Sequence, residues 1–125
     1  MIHYLFLGHF EHDGEVVRFA KGPSESAYRP VICHPVDQAA IKAVLKEVTG
    51  AEAEDPAFPE GWMIWLDDGY LVCDKYTRNR EAIAFVARLV ERTHCEIHDV
   101  AAHCNIAVSD WLETTRRHPE PSRIV

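Results

Sequence analysis

The strongest constraint in this 125-residue sequence is a pair of Asp-Gly turn signals, each followed by the apolar spacing of an amphipathic helix. Asp13-Gly14 and Asp68-Gly69 both lie between apolar runs, and Asp-Gly accepts the positive φ angles of a tight hairpin turn. Strands joined by such turns pair antiparallel, and a helix with one apolar face packs across the resulting sheet. The sequence therefore predicts an α+β fold.

The element boundaries follow from caps, turns and periodicity. Apolar residues on both faces of 2–12 predict an inner strand. Asp37 and Gly50 are suited to begin and end a helix, and Thr77 or Asn79 can begin a second helix that runs to about Thr93. Three further elements are expected: a hairpin of 62–66 with 70–74, a strand at 95–100, and a last helix over about 109–118 with Asp110 as its N-cap.

The order of these elements suggests a weak internal duplication. Residues 38–55 align with 82–99 at several identical positions, which defines possible half-repeats at 1–55 and 62–100. We therefore expect one domain over 1–125, with a mainly antiparallel or mixed sheet built from two ββαβ-like halves. The helices are expected mostly on one face of the sheet, with the C-terminal helix added.

Charge and cysteine content exclude several classes of function. Twenty acidic and thirteen basic residues leave a net charge of −7, which disfavours binding to nucleic acid or to anionic lipid. The apolar stretch near the start is too short to span a membrane, and no basic residue precedes it as in an export signal. We expect a cytoplasmic protein whose four cysteines are reduced, structural thiols.

His94, Glu96 and His98 form the clearest candidate for chemistry. On an extended strand, residues two apart point to the same face, so these three side chains are expected to project together. Two imidazoles and a carboxylate are an established ligand set for zinc or iron. The alternative is that alternation simply places three polar residues on the solvent side of a strand, and we prefer that interpretation.

Motifs for other chemistry are missing from the sequence. The histidines and cysteines at His9, His12, Cys33-His34 and His103-Cys104 lack zinc-finger spacing, and there is no Cys-x-x-Cys. There is also no Gly-x-Ser-x-Gly and no glycine-rich phosphate loop. No motif implies a cofactor, and we expect a noncatalytic protein rather than an enzyme.

The second hairpin carries three aromatic residues, Trp62, Trp65 and Tyr70. Trp62 shares a strand face with Ile64, whereas Trp65 shares the opposite face with Met63. One tryptophan therefore points away from the more buried side, unless both faces of the sheet are covered. Large, rigid aromatic side chains dominate the energetics of protein interfaces, so this set is the candidate partner-binding surface.

Two functional hypotheses remain from the sequence. The first is a small acidic module that binds another protein or forms a homodimer, with Trp62, Trp65 and Tyr70 at the interface. The second is a metal-binding protein or metal-dependent enzyme that uses His94, Glu96 and His98 with divalent zinc or iron. We prefer the first hypothesis because the aromatic hairpin and the acidic charge support it without a catalytic motif.

Overall fold

The computed structural model describes residues 3–21, 28–50 and 58–117 and confirms the α+β fold class, with three helices and a mostly antiparallel sheet. In chain order its elements are β1 (Tyr4–Phe10), β2 (His12–Asp13), β3 (Val16–Val17), β4 (Phe19–Lys21), β5 (Tyr28–Pro30), β6 (Ile32–His34), α1 (Gln38–Thr49), β7 (Ile64–Leu66), β8 (Leu71–Asp74), α2 (Arg80–Thr93), β9 (Glu96–Asp99), β10 (Cys104–Ile106) and α3 (Val108–Arg117).

The main sheet has the strand order β10-β9-β1-β8-β7, and β6 pairs with the end of β1. Every pairing in this sheet is antiparallel. β1 is the central strand, with Leu5 and Leu7 fully buried, which confirms that the apolar run at the start forms an inner strand covered on both faces.

The first two helices begin and end where their capping residues predict. The Asp37 carboxylate accepts a hydrogen bond from the Ala39 amide at 2.9 Å, and Gly50 ends α1 in the left-handed conformation at φ +76°. Asn79 caps α2 by accepting from two amides of its first turn. α3 differs from the prediction: it starts at Val108, so Asp110 lies in its first turn and is not its N-cap.

Both long helices pack on one face of the sheet. Apolar side chains of α1 and α2 meet the inward residues of β1, β8 and β9 in the larger core. α3 joins this core through Trp111, whose indole Nε1 donates to the Lys75 carbonyl at 2.9 Å. Members of the core with no measurable exposure are Leu5, Leu7, Ile41, Val44, Leu71, Cys73, Ala82, Phe85, Val86, Leu89 and Trp111.

The opposite face of the sheet is covered by the arm, which we define as β2 to β5 (residues 12–30, described at 12–21 and 28–30). Val17 and Phe19 of the arm pack with Phe6, Phe10 and other residues in a second apolar cluster. The hairpin turn lies one residue later than predicted, because Asp13 pairs with Val16 and leaves Gly14 as the first loop residue, at φ +68°. Positive φ at the first loop position is typical of a type II′ turn.

β10 is a strand that the sequence pattern did not predict, because three residues are too few to give a periodic signal. The half-repeats stay a prediction, and the acidic segment at 51–57 lies outside the described residues, as does residue 118 of the last predicted helix. Within the described chain, none of the helices is both long enough and apolar enough to cross a bilayer.

Candidate functional site

His94 and His98 both lie elsewhere than the sequence predicts. His94 ends α2 in the left-handed conformation at φ 56°, and its amide donates to the Val90 carbonyl at 2.8 Å. The following strand starts at Glu96, so the exposed His94 is not part of its face. His98 does lie on β9, but it is 1% exposed and does not face solvent. The expected outward row of three side chains is therefore wrong, and only Glu96 and His98 share a face.

Glu96 is the centre of a polar network that joins four strands. Its Oε2 accepts from the Phe10 amide at 3.1 Å, and its Oε1 accepts from Asn105 Nδ2 at 2.7 Å. The same oxygen is paired with His12 Nε2 on β2. Because β1, β2 and β10 all donate to this one carboxylate, Glu96 ties the arm to the sheet. Sequence reasoning missed the His12–Glu96 pair, since the two residues are 84 positions apart and no local signal links them.

His98 is a buried, neutral imidazole with a defined tautomer. Its Nδ1 lies 3.1 Å from Asn105 Oδ1, and this amide is oriented by the donation of Nδ2 to Glu96. Since the amide oxygen only accepts, Nδ1 donates, and in the neutral ring Nε2 then carries the unprotonated lone pair. Nε2 has no hydrogen-bond partner among the residues that the structure describes.

The surroundings of His98 favour the neutral form. Burial lowers its pKa, and the nearby His103 lowers it further. The rings of Phe19 and Phe6 lie 5.4 and 6.5 Å from the imidazole, so the arm closes over the side chain. The imidazoles of His9 and His34 stack where β1 meets β6, with ring centroids 4.1 Å apart. Burial, together with the neighbouring His34, lowers the pKa of His9. These histidines serve as packing groups between the arm, β6 and the sheet.

Metal binding by His94, Glu96 and His98 stays a prediction. In the described parts of the chain, no three His, Cys, Asp or Glu side chains converge as ligands for one metal ion. The cysteines are free thiols, with Cys73 and Cys95 buried. Burial raises the pKa of Cys73 to about 12 and raises that of Cys95 as well, so neither is a thiolate nucleophile at neutral pH.

The aromatic hairpin divides into buried and exposed residues. Trp62 is 1% exposed and packs on Phe85 with ring centroids 5.7 Å apart. Tyr70 is 3% exposed, and its hydroxyl donates a hydrogen bond to Asp67 Oδ2 at 3.1 Å. Burial, together with the charge of Asp67, raises the pKa of Tyr70 to about 12. Only Trp65 of the predicted set is an exposed side chain. Trp62 belongs to the larger core, and Tyr70 belongs to the second apolar cluster.

Trp65 and its neighbour Met63 are exposed side chains at the end of the sheet. Trp65 is 39% exposed, and its ring meets Tyr4 edge-on with centroids 5.4 Å apart. Met63 is 55% exposed and adopts φ 57°, a left-handed conformation that is uncommon for a residue with a long side chain. Sequence reasoning had placed both on one face but did not identify Met63 as part of the surface.

β7 bonds to β8 through alternate residues. The Asp67 amide donates to the Tyr70 carbonyl at 2.8 Å, and the Asp74 amide donates to the Met63 carbonyl at 3.1 Å. Hydrogen-bonded and non-hydrogen-bonded pairs alternate along an antiparallel ladder. Trp65 lies midway between Met63 and Asp67, so its N–H and C=O also point toward β8.

Ile64 and Leu66 form the other edge of β7. Their backbone N–H and C=O groups point away from β8, because they occupy the alternate positions of the ladder. No strand in the described part of the chain pairs on that side. Ile64 is 6% exposed and Leu66 is half-buried. An apolar edge strand without a neighbouring strand is a template for pairing with another chain, and neither residue is a proline or a charged side chain that would block it.

Charged groups of opposite sign lie at the two ends of β7. The turn that follows β7 contains Asp67 and the exposed Asp68. At the other end, Met63 lines a cleft of about 470 Å³ together with two arginines and one carboxylate, Arg78, Arg80 and Asp74. Neither arginine side chain forms an ion pair with a described residue, whereas Arg88 and Arg92 of the same region of sequence both pair with Glu47.

Comparison with known proteins finds no matching family model, no matching curated protein and no matching solved structure, so function has to be argued from these residues alone.

Proposed function

We propose that this chain is a noncatalytic protein-binding module whose partner adds a strand at the open edge of β7. The observation that carries the proposal is the exposed Trp65 beside the outward backbone groups of Ile64 and Leu66. Strand addition draws affinity from main-chain hydrogen bonds and specificity from the alternating side chains. Trp65 supplies such a side chain on β7, and the exposed Met63 lies directly before the strand.

Three features support binding over catalysis. Asn105 bonds both the Nδ1 of His98 and the carboxylate of Glu96, and Phe19 closes over the imidazole. The lining of the cleft near Met63 includes Asp74, Arg78 and Arg80 but no cysteine, serine or histidine that would form the nucleophile–base pair of a hydrolytic site. Trp65 keeps 39% of its surface exposed although the neighbouring Trp62 is fully packed, which suits an anchor that is covered only on binding.

The free thiols fit the compartment that we propose, the cytoplasm. Cys33 and Cys104 are exposed on the surface, and no disulfide links any of the cysteines in the described chain. Exposed thiols persist unpaired in a reducing environment.

Site-specific cross-linking tests the proposal in cells that naturally produce the protein. A photoreactive amino acid replaces Met63, and a control replaces Lys42, which is exposed on α1. We expect a discrete adduct from position 63, absent from position 42 and lost when Trp65→Ala is added. The absence of any adduct from position 63, or an adduct that persists at full yield with Trp65→Ala, would contradict the proposal.

A further inference from the structure

We propose that the partner at β7 is a second copy of this chain, whose own β7 pairs antiparallel with the first about a two-fold axis at Trp65. This inference rests on the proposed function, since it names the occupant of the same edge. It follows from three independent features of the edge: the direction of its backbone groups, the position of its aromatic side chain, and the sign of the charges at its two ends.

The backbone groups of β7 match those of a second β7. With the two-fold axis at Trp65, Ile64 of one copy lies opposite Leu66 of the other, and Leu66 lies opposite Ile64. Both residues direct N–H and C=O outward, so each of these two pairs exchanges both of its hydrogen bonds. The pairing gives every outward N–H and C=O group of Ile64 and Leu66 a hydrogen-bond partner.

The aromatic side chains meet at the axis. Trp65 occupies a non-hydrogen-bonded position of the new ladder, where opposite Cα atoms approach to about 4.5 Å, closer than in the bonded positions. Cross-strand aromatic pairs are stabilising at such positions. Because Tyr4 already lies against Trp65 at 5.4 Å, the two copies together form one continuous aromatic row.

The charges make this edge complementary to itself. In the same register, residue 63 of one copy lies opposite residue 67 of the other, so the turn with Asp68 faces the cleft with Arg78 and Arg80. A two-fold interface requires this kind of self-complementary surface. The contact occurs twice, once at each end, and it opposes the general repulsion between two chains that each carry a net charge of −7.

The interface is small, and its affinity should be modest. The paired strands have three residues each, flanked by Met63 and the charged groups. Interfaces that bury less than about 1,200 Å² belong to weak, transient complexes. We therefore expect a dissociation constant of about 10–100 µM, and the measurement must reach concentrations above that range.

Analytical ultracentrifugation of the full chain provides the first test, from about 5 to about 500 µM, a range set by the expected dissociation constant. The wild-type protein should change from the 14.2 kDa monomer to a species of twice that mass. Trp65→Lys should keep the chain monomeric throughout, because a lysine on an edge strand opposes pairing. Val16→Lys is the matched control, since Val16 is also an exposed apolar residue at 55% but lies on the arm. It should dimerise like the wild type.

A charge exchange identifies the contacting surfaces. Asp68→Lys alone, and Arg78→Glu with Arg80→Glu, should each weaken dimerisation at least about 10-fold, as expected when like charges are opposed. An equimolar mixture of the two variants should restore a heterodimer near wild-type affinity, because opposite charges then meet at both ends. The control is Lys42→Glu with Arg18→Glu, which changes the net charge by the same amount as Arg78→Glu with Arg80→Glu. This control should dimerise more strongly than the Arg78→Glu/Arg80→Glu variant.

Asp68 is the residue chosen for this exchange because the side chain of the neighbouring Asp67 already accepts hydrogen bonds from the Tyr70 hydroxyl and the Asp68 amide within the turn. Thermal unfolding of each variant establishes that the fold is retained. A wild-type chain that stays monomeric at about 500 µM, well above the expected dissociation constant, overturns the inference. Failure of the mixture to associate better than either folded variant alone overturns it as well.

The two proposals fail in different ways. If the cross-link from position 63 joins a different protein and the purified chain stays monomeric, the β7 edge binds a partner but the second copy is excluded. If neither experiment detects association, the proposed function fails too. An adduct of two copies of the chain, together with the charge exchange, supports both.

Discussion

Replacing Lys75 with methionine should cost the protein about 3 kcal/mol of folding free energy, since it removes the cation from a buried carboxylate. Asp99 is 2% exposed, and its Oδ2 lies 2.6 Å from Lys75 Nζ. Its Oδ1 accepts from the Ala102 amide at 3.2 Å. Burial by itself would raise the pKa of Asp99, but the hydrogen bonds from Lys75 and Ala102 outweigh burial and lower it. The hydrogen bond to Asp99 raises the pKa of Lys75.

The magnitude follows from the exposure of each partner. Two unit charges at this separation attract by about 6 kcal/mol at an effective dielectric constant of about 20, and desolvation offsets much of that attraction. Removing one partner of a buried pair typically costs about 3–5 kcal/mol, because the remaining charge is left uncompensated. Lys75 retains 21% of its surface in water, which screens part of the interaction and places the expected cost at the lower end.

Urea unfolding followed by circular dichroism, from pH 7 down to pH 4, measures this cost and its pH dependence. In the wild type, Asp99 adds stability above the ordinary carboxyl pKa of about 3.9 and loses it as the pH falls through its lowered native pKa. In Lys75→Met, the cation no longer opposes the effect of burial on Asp99, so the Asp99 carboxylate takes up a proton more readily in the native state than in the unfolded chain. The deficit of the variant should therefore shrink as the pH falls.

The double variant Lys75→Met/Asp99→Asn separates the charge from the side-chain packing. It should unfold within about 1 kcal/mol of the wild type, because no uncompensated charge remains and the Ala102 amide keeps an acceptor. A cost below about 0.5 kcal/mol for Lys75→Met, or a deficit that stays constant between pH 7 and pH 4, would mean that solvent screens the pair and that the reasoning is wrong.

Three further predictions concern the histidines and the turns. Because burial lowers the pKa of His98 below its ordinary value of 6.5, the unfolded chain binds the proton more readily, and the free energy of unfolding should fall as the pH drops below about 6.5. The folded variant His98→Leu should have a smaller pH slope in urea unfolding between pH 7 and pH 5, and an unchanged slope would contradict the assignment. Elemental analysis of the untagged protein should find no stoichiometric metal, whereas one ion per chain that is lost in His94→Ala/His98→Ala would establish the metal-binding alternative. Gly69→Ala should destabilise the fold by about 1–3 kcal/mol, because φ is +83° and the added Cβ would lie 3.3 Å from the Pro35 Cβ. Gly14→Ala, at φ +68° with nothing within 4 Å, should cost only about 1 kcal/mol in the same thermal or urea unfolding experiment.

The functional site was only partly predictable from sequence, and the histidines illustrate why. His94 and His98 have the spacing of neighbours on a strand face, but the helix continues to Thr93 and uses His94 to end in the left-handed conformation. His98 is correctly placed on a strand, yet it is buried because Phe19 of the arm lies across it. Alternation identifies which residues share a face, but it does not tell which segment of the chain covers that face.

Trp62 and Trp65 illustrate the same limit on the candidate interface. Strand alternation predicts opposite orientations for them, and the structure buries Trp62 in the larger core at 1% exposure and leaves Trp65 39% exposed. The exposure of Trp65 depends on strand order, because β7 is the edge strand of the main sheet within the described chain. The arm covers the sheet face that lies opposite the helices, but it does so nearer the centre of the sheet. Tyr70, which directly precedes β8, is buried in the apolar cluster that also contains Val17 of the arm.

The sequence by itself determined the elements whose signals lie within a few residues of one another. Asp37 with Gly50 bounds α1, Asn79 begins α2, and Asp67–Gly69 turns β7 back along β8, because capping and turn energies are local. Only the tertiary structure decided that His12 meets Glu96 and that the outward backbone of β7 has no neighbouring strand among the described residues. Those two facts depend on the order in which distant strands pair, and pairing energy is shared across the whole sheet rather than carried in any short stretch of chain.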